Sequence, residues 1–408
     1  MAAESVSERY RAVCGQQGVK INPLVLEKLE KSSTTRSFTL KLAGSSEQKL
    51  CDDDVSALSK CLQDNRTVTG LDLRYNNITD GGIGHLEELL EVEDSPLRSL
   101  DLTFNDIQAD GAEVLAACLQ GNNTLLSLRL SGNKLGNTGA MRLAQMLQVN
   151  RTLQELQLAD CDLETPAVIA LAIALKHNPV LRSVDLSRPL LFSLQEEWAV
   201  HFSEMFGVNG RLAELHLGKM GLTDTGVERL AEGLKQNRSL RYLDLRCNHV
   251  THDGAQHLAG VLRHNTSLQV LDLSANRIED VGAEHLSGAL SWPGCVLTEL
   301  SVCRNNIRTK GLLSVAQALV NNPTLTHVYI WGNHPEEPAC LAFRELISSG
   351  RLSPQHTDVR PYQVDGHVFL AEVWQSLRKH VYSADGDGQD SDDAAAPDEP
   401  DPRPDCSS

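Results

Sequence analysis

The chain has 408 residues and a net charge of −17, with 41% hydrophobic, 22% charged and only 4% aromatic residues. That apolar share is too high for a wholly disordered chain, and the longest purely apolar run, Ala167–Leu175, falls far short of the roughly 20 residues that span a bilayer. Bulk acidity argues against nucleic acid as a direct partner, because phosphate backbones are repelled.

In chain order, residues 1–36 carry no repeat, and Ser7–Cys14 and Pro23–Glu30 read as helices. An atypical helical cap is what a stack of repeats needs over its first core layer. The opening residues lack the basic and apolar regions of a secretory leader. No two of the ten cysteines share a C-x-x-C or zinc-ligand spacing. The expectation is therefore reduced thiols packed as small hydrophobes, in the cytoplasm or nucleus.

From Leu71 onwards one pattern returns. Leu71-Asp-Leu-Arg-Tyr-Asn76 is followed by Leu100-Asp-Leu-Thr-Phe-Asn105, Leu128-Arg-Leu-Ser-Gly-Asn133, Leu243-Asp-Leu-Arg-Cys-Asn248 and Leu271-Asp-Leu-Ser-Ala-Asn276. The strand ends fall at 76, 105, 133, 161, 189, 220, 248, 276, 305 and 333, every spacing being 28 or 29 except one of 31. Alternating leucines make a short strand with one face inward. Asn76 and its equivalents are expected to turn inward and satisfy backbone groups. Six residues on stands a glycine, as at Gly82, Gly111 and Gly254, read as a tight turn into an amphipathic helix. Seventeen residues after the strand end a second Asn, as at Asn122 and Asn150, is read as ending that helix in left-handed geometry.

These residues resemble the ribonuclease-inhibitor type of leucine-rich repeat, L-x-x-L-x-L-x-x-N/C-x-L, over about Val68–Asn333 and weakly over Phe38–Asn65. The resemblance implies an α/β fold: a curved right-handed solenoid with parallel strands on its concave face and helices on its convex face. Cys161 stands where the family permits Cys for Asn, whereas Pro189 and Met220 depart from the pattern and flank the 31-residue interval. Local distortion is expected there.

After Asn333, Pro335–Ser349 reads as a last helix, and Asp365-Gly366 between alternating apolar residues signals a hairpin. Residues 384–408 hold nine acids against one arginine, net −8, and no Leu, Ile, Val or Phe, a composition that cannot form a core. Asp385–Asp390 imitates the start of a calcium loop but puts Asp390 at the sixth position and Ala396 at the twelfth, where Gly and Glu are required. Four segments are thus expected: a helical cap at 1–36, the solenoid at 37–335, a cap with a hairpin at 336–383, and a disordered acidic tail at 384–408. The two ends also resemble those of one member of the family, which implies a protein without enzymatic activity in the cytoplasm and nucleus, the nucleolus included.

No phosphate loop, nucleophile elbow, metalloprotease helix or kinase signature is present. His249, His252, His257 and His264 lack helical ligand spacing, so neither metal nor cofactor is expected. The residue between the two strand leucines points away from the core. This gives Asp72, Asp101, Arg129, Asp185, His216, Asp244, Asp272 and Tyr329 as a candidate binding face, with Arg74, Arg246 and Trp331 at the next outward positions and Tyr75, Phe104 and Arg304 one residue further on. Aromatics and arginines dominate interface energies, and acids speed encounter with cationic partners. The bland alternative is that Asp in L-D-L only keeps a strand soluble. The expectation is a monomeric scaffold for a protein partner with a basic patch. Two alternatives share its architecture: an activator of a small nuclear GTPase, which in this repeat subtype also carries an acidic C-terminal tail, and an inhibitor of a basic nuclease.

Overall fold

Burial of the periodic leucines generates a strict alternation of strand and helix. The computed structural model describes residues 5–31, 37–45, 48–92, 94–191 and 196–377. They divide between two units, one reaching residue 192 and the other starting at residue 193.

The first unit opens with helices α1 (Val6–Gln17) and α2 (Pro23–Lys31). Ser5 caps α1 through a capping box with Glu8, and Gly18 ends it in left-handed geometry. Then come β1 (Phe38–Lys41), α3 (Asp52–Leu62), β2 (Val68–Asp72), α4 (Asp80–Leu90), β3 (Ser99–Asp101), α5 (Ala109–Gly121), β4 (Ser127–Arg129), α6 (Gly136–Val149), β5 (Glu155–Gln157), α7 (Thr165–His177) and β6 (Ser183–Asp185). Strands β1 to β6 pair in parallel in sequence order. The apolar run Ala167–Leu175 lies within α7, and among the described residues no helix is long and apolar enough to cross a membrane. The core is the leucine layer between strands and helices: Leu100, Leu102, Ile107, Leu115 and Leu119 of one repeat are all buried. Each such side chain stabilises the stack by about 1.5–3 kcal/mol.

Three side-chain ladders hold neighbouring repeats together, and two of them correct the sequence reading. The strand-end asparagines are buried as expected: Asn105 donates to the Leu73 and Leu102 carbonyls (2.9 and 3.0 Å) and accepts from Ile78 N–H. Cys161 takes the same place, its thiol donating to the Leu130 carbonyl at 3.2 Å. The second asparagine, in contrast, ends its helix in extended rather than left-handed geometry: Asn150 has φ −62 and ψ 135. Its amide donates to the Leu119 carbonyl of the preceding helix while its oxygen accepts from Thr152 and Leu153 N–H. The left-handed residue sits elsewhere, just before the strand-end asparagine, at Tyr75, Phe104, Cys247, Ala275 and Arg304.

The repeat glycines are also not turn residues, because Gly111 lies inside α5. There a Cβ would stand 2.4 Å from the Asp80 carboxylate. Asp80 accepts from Gln108 N–H (2.7 Å) at the start of that helix. The glycine therefore makes room for the third ladder, in which an acid of one repeat meets the positive end of the next helix.

In the second unit Glu196 fills that role, accepting from Thr223 N–H and Oγ1. Residues 192–195, within the interval between Pro189 and Met220 where distortion is expected, lie outside the described residues. The elements are α8 (Glu197–Val208), β7 (Glu214–His216), α9 (Asp224–Gln236), β8 (Tyr242–Asp244), α10 (His252–His264), β9 (Val270–Asp272), α11 (Glu279–Leu290), β10 (Glu299–Ser301), α12 (Thr309–Asn321) and β11 (His327–Tyr329). Strands β7 to β11 are again parallel and in order. Helix α13 (Glu337–Ser348), a 3-10 turn at Pro354–His356, and the antiparallel pair β12 (Val359–Val364) and β13 (His367–Glu372) follow. Asp365 and Gly366, with φ of 50 and 87, make the two-residue turn of that hairpin. The acidic stretch 384–408 lies outside the described residues. Among the described residues eight cysteines are free thiols, six of them buried; the reduced-thiol reading is corrected at Cys247, which is disulfide-bonded.

Candidate functional site

The strand residues that point away from the core do not form an open acidic stripe. Asp72, Asp101, Asp244 and Asp272 are all buried, because side chains of the same and neighbouring strands close over them. In the first unit the face alternates in charge. Arg74 forks onto Asp72 with two 2.9 Å bonds and reaches Asp101 at 3.6 Å. Arg129 lies 3.8 Å from Asp101 and 2.9 Å from Glu155. Glu155 also accepts from Ser127 and Gln157. Burial lifts Asp101 above the usual carboxylate range, against the hydrogen bonds from Thr103 and the charge of Arg129. Asp185, at the end of β6, accepts from Ser187 N–H.

What this unit does expose is aromatic. Tyr75 and Phe104 stack with ring centroids 5.2 Å apart and planes 9° from parallel, and they remain 48% and 44% exposed. Their backbones are left-handed, φ 60 and 52, which swings both rings to the same edge of the strands. Gly132 takes the equivalent place one repeat on, and a Cβ there would stand 2.3 Å from the Phe104 ring. The absence of a side chain therefore leaves that ring its seat.

In the second unit the face is a buried polar chain. His216 lies between two buried carboxylates, 2.7 Å from Glu214 through Nε2 and 3.2 Å from Asp244 through Nδ1, with its ring 5.0 Å from that of Tyr242. Arg246 reaches Asp244 at 3.1 Å. Burial works to raise Asp244, but the His216 hydrogen bond and the Arg246 charge outweigh it and hold Asp244 below the usual range. Asp272 is pushed the other way, to about 6, by burial and the neighbouring Asp244 charge. From Asp272 the chain runs through Ser274 (2.6 Å) and Ser301 (2.6 Å) to Cys303 (3.3 Å), whose thiol donates to Asp358 at 3.0 Å. Burial and the Asp358 charge drive that thiol well above its ordinary value.

Tyr329 is corrected from an exposed anchor to a core residue. It packs with Tyr242, Val270 and Leu377, and Cys303 lies against the cluster. Trp331 is half-buried, its N–H donating to Asp358. Arg304 is exposed, beside Gly332. Sequence reasoning missed Glu155, Glu214 and Glu299. Each stands two residues before an outward position and therefore shares its face, so an acid immediately before a strand leucine was the available signal. Asp358 and Leu377 carried none, since both arrive from outside the repeats.

Among the described residues one trio of potential metal ligands, Glu87, Glu91 and Cys118, has donor atoms within 4.8 Å of one another. Glu91 is exposed. Burial and the two glutamate charges push the Cys118 thiol up to about 11, so it stays protonated and neutral at physiological pH.

The Leucine Rich repeat family profile matches residues 64–84, 94–116, 121–144, 149–172, 236–259 and 264–287. Over 201 residues the chain is 54% identical to human leucine-rich repeat-containing protein 34, a stretch covering 49% of this chain and 43% of the human protein. Over 203 residues it is 49% identical to the mouse protein of that name, covering 50% and 49%. The matched region thus spans about half the length of these relatives. An internalin of Listeria monocytogenes is 16% identical with a TM-score of 0.43, covering 86% of this chain and 93% of that one. The chain is a leucine-rich repeat protein, homologous over half of its length to leucine-rich repeat-containing protein 34.

Proposed function

We propose that this chain is a non-enzymatic scaffold that binds a protein partner through the strand edge of its first unit. The observation that carries the reading is the stacked, half-exposed Tyr75–Phe104 pair beside Arg74. Tyr and Arg are enriched among residues that dominate interfaces. Held by left-handed backbone and by each other, the two rings lose little further freedom on binding. The strand acids are already paired with Arg74, Arg129 and Arg246. A basic patch on the partner is therefore better matched by the net −8 of residues 384–408. The compartments we propose are the cytoplasm and nucleus, the nucleolus included.

The test is affinity capture with the full chain and with Tyr75→Ala/Phe104→Ala, followed by titration of the purified partner. Loss of two exposed rings is expected to weaken the complex by about 2–4 kcal/mol, roughly 30-fold or more, with melting little changed. Undiminished binding by the double variant would remove the edge from the interface.

A further inference from the structure

The second unit already shows its strand face occupied. After β13 the chain turns back at Trp374, where Gln375 N–H donates to the Val373 carbonyl at 2.7 Å. Leu377 then settles on Tyr242, Val270 and Tyr329, side chains contributed by β8, β9 and β11. Leu377 is 8% exposed, while Trp374, three residues earlier, is 81% exposed. The segment is thus anchored by one aliphatic side chain. Polar bonds position the rest. Val373 N–H donates to the Asp358 carbonyl at 2.9 Å. In the orientation that satisfies both ends of its amide, Gln375 donates to the carbonyls of Pro354, Thr357 and Gln355 at 2.8, 2.6 and 3.1 Å. The Asp358 carboxylate in turn accepts from Ile330 and Trp331 N–H, just beyond β11.

These contacts differ in kind from those between repeats, where whole rows of leucines interlock. Here a single leucine covers an apolar seat floored by two tyrosines and a valine, and the strands beneath are complete without it. A seat of this form takes an extended segment by one aliphatic anchor and leaves its flanks to hydrogen bonds. We propose that the strand face over β8, β9 and β11 is a docking site for an extended peptide segment with a leucine anchor, and that Val373–Leu377 is its resident occupant in cis. A partner segment of the same chemistry gains the site only for the fraction of time the resident leaves, so its apparent affinity is reduced by that fraction. The proposal does not depend on the Tyr75–Phe104 reading, which concerns the other unit.

The experiment uses full-length protein and a fluorescein-labelled synthetic peptide of residues 373–383, whose sequence continues past Leu377 as Arg-Lys-His-Val-Tyr-Ser. Leu377→Asp in the full chain should eject the resident and capture the peptide by anisotropy at least about tenfold more tightly than the unaltered chain. Gln375→Ala, which loosens the clamp without touching the apolar seat, should shift affinity in the same direction by less. A peptide carrying Ala at the Leu377 position should not bind. The idea is overturned if neither variant binds the peptide while both keep their circular dichroism, since Leu377 is then only a structural cover. Equal binding to the unaltered chain and both variants also overturns it, because the resident then excludes nothing. If Leu377→Asp fails to fold, the Gln375→Ala comparison decides alone.

Discussion

Asp244 and Asp272 face each other across β8 and β9 in equivalent positions, yet their carboxyls are displaced in opposite senses. Asp244 has His216 and Arg246 against it, and Asp272 has Asp244. Because Asp272 is lifted in the folded chain to about 6, folding favours its protonated form. Its contribution is complete below about pH 4, the unfolded value, and is lost as pH rises through about 6. Replacing it with asparagine removes the charge that must otherwise be buried beside Asp244. Asp272→Asn should therefore gain on the unaltered chain by up to about 2–3 kcal/mol between pH 4 and pH 7. Urea titrations of both proteins at the two ends of that range measure the gap, and a gap that stays constant or closes would contradict the assignment.

At the scale of one repeat, the strand-end asparagine ties its own turn to the strand end of the repeat before it. Asn105→Ala strands the Ile78 N–H inside the core and leaves the Leu73 carbonyl only its bond from the Asn76 amide, and should cost about 1–3 kcal/mol, read from urea unfolding. Asn105→Asp should not rescue it, because a carboxylate cannot donate to the two carbonyls. Phase, strands and helices were legible in the sequence because every repeat buries the same leucines, so one pattern is stated ten times. The turn geometry was not legible. The left-handed position is occupied by Tyr75, Phe104, Cys247 and Ala275 in different repeats and by glycine at Gly132 and Gly332, so glycine does not mark it consistently. The glycines that do recur answer to close approach of the neighbouring repeat, to a carboxylate at Gly111 and Gly254 and to an alanine at Gly139 and Gly282. Of the candidate face, Tyr75 and Phe104 were legible as edge aromatics. The burial of Asp72 and Tyr329 was not, because the side chains that cover them, Arg74 and Leu377, act by position in space. A period of two records only which way a strand residue points.

Across the molecule, each repeat touches its neighbours and little else, so a perturbation should fade with repeat number. In Asn105→Ala, amide hydrogen exchange followed by mass spectrometry should rise most at β3 and the strands beside it and decline towards β6 within the first unit. A uniform rise over that unit would mean that it opens as one block. The asparagine ladder has one further consequence, because it has a direction. Asn105, Asn150 and Asn248 spend their inter-repeat bonds on Leu73, Leu119 and Leu217, residues that precede them in the chain. A repeat leaving the ribosome therefore finds these inter-repeat partners of its asparagines already made. At roughly 5–20 residues per second a 28-residue unit emerges every few seconds, slowly enough for each to settle on the one before it, and the chain can be built in the order in which it is read.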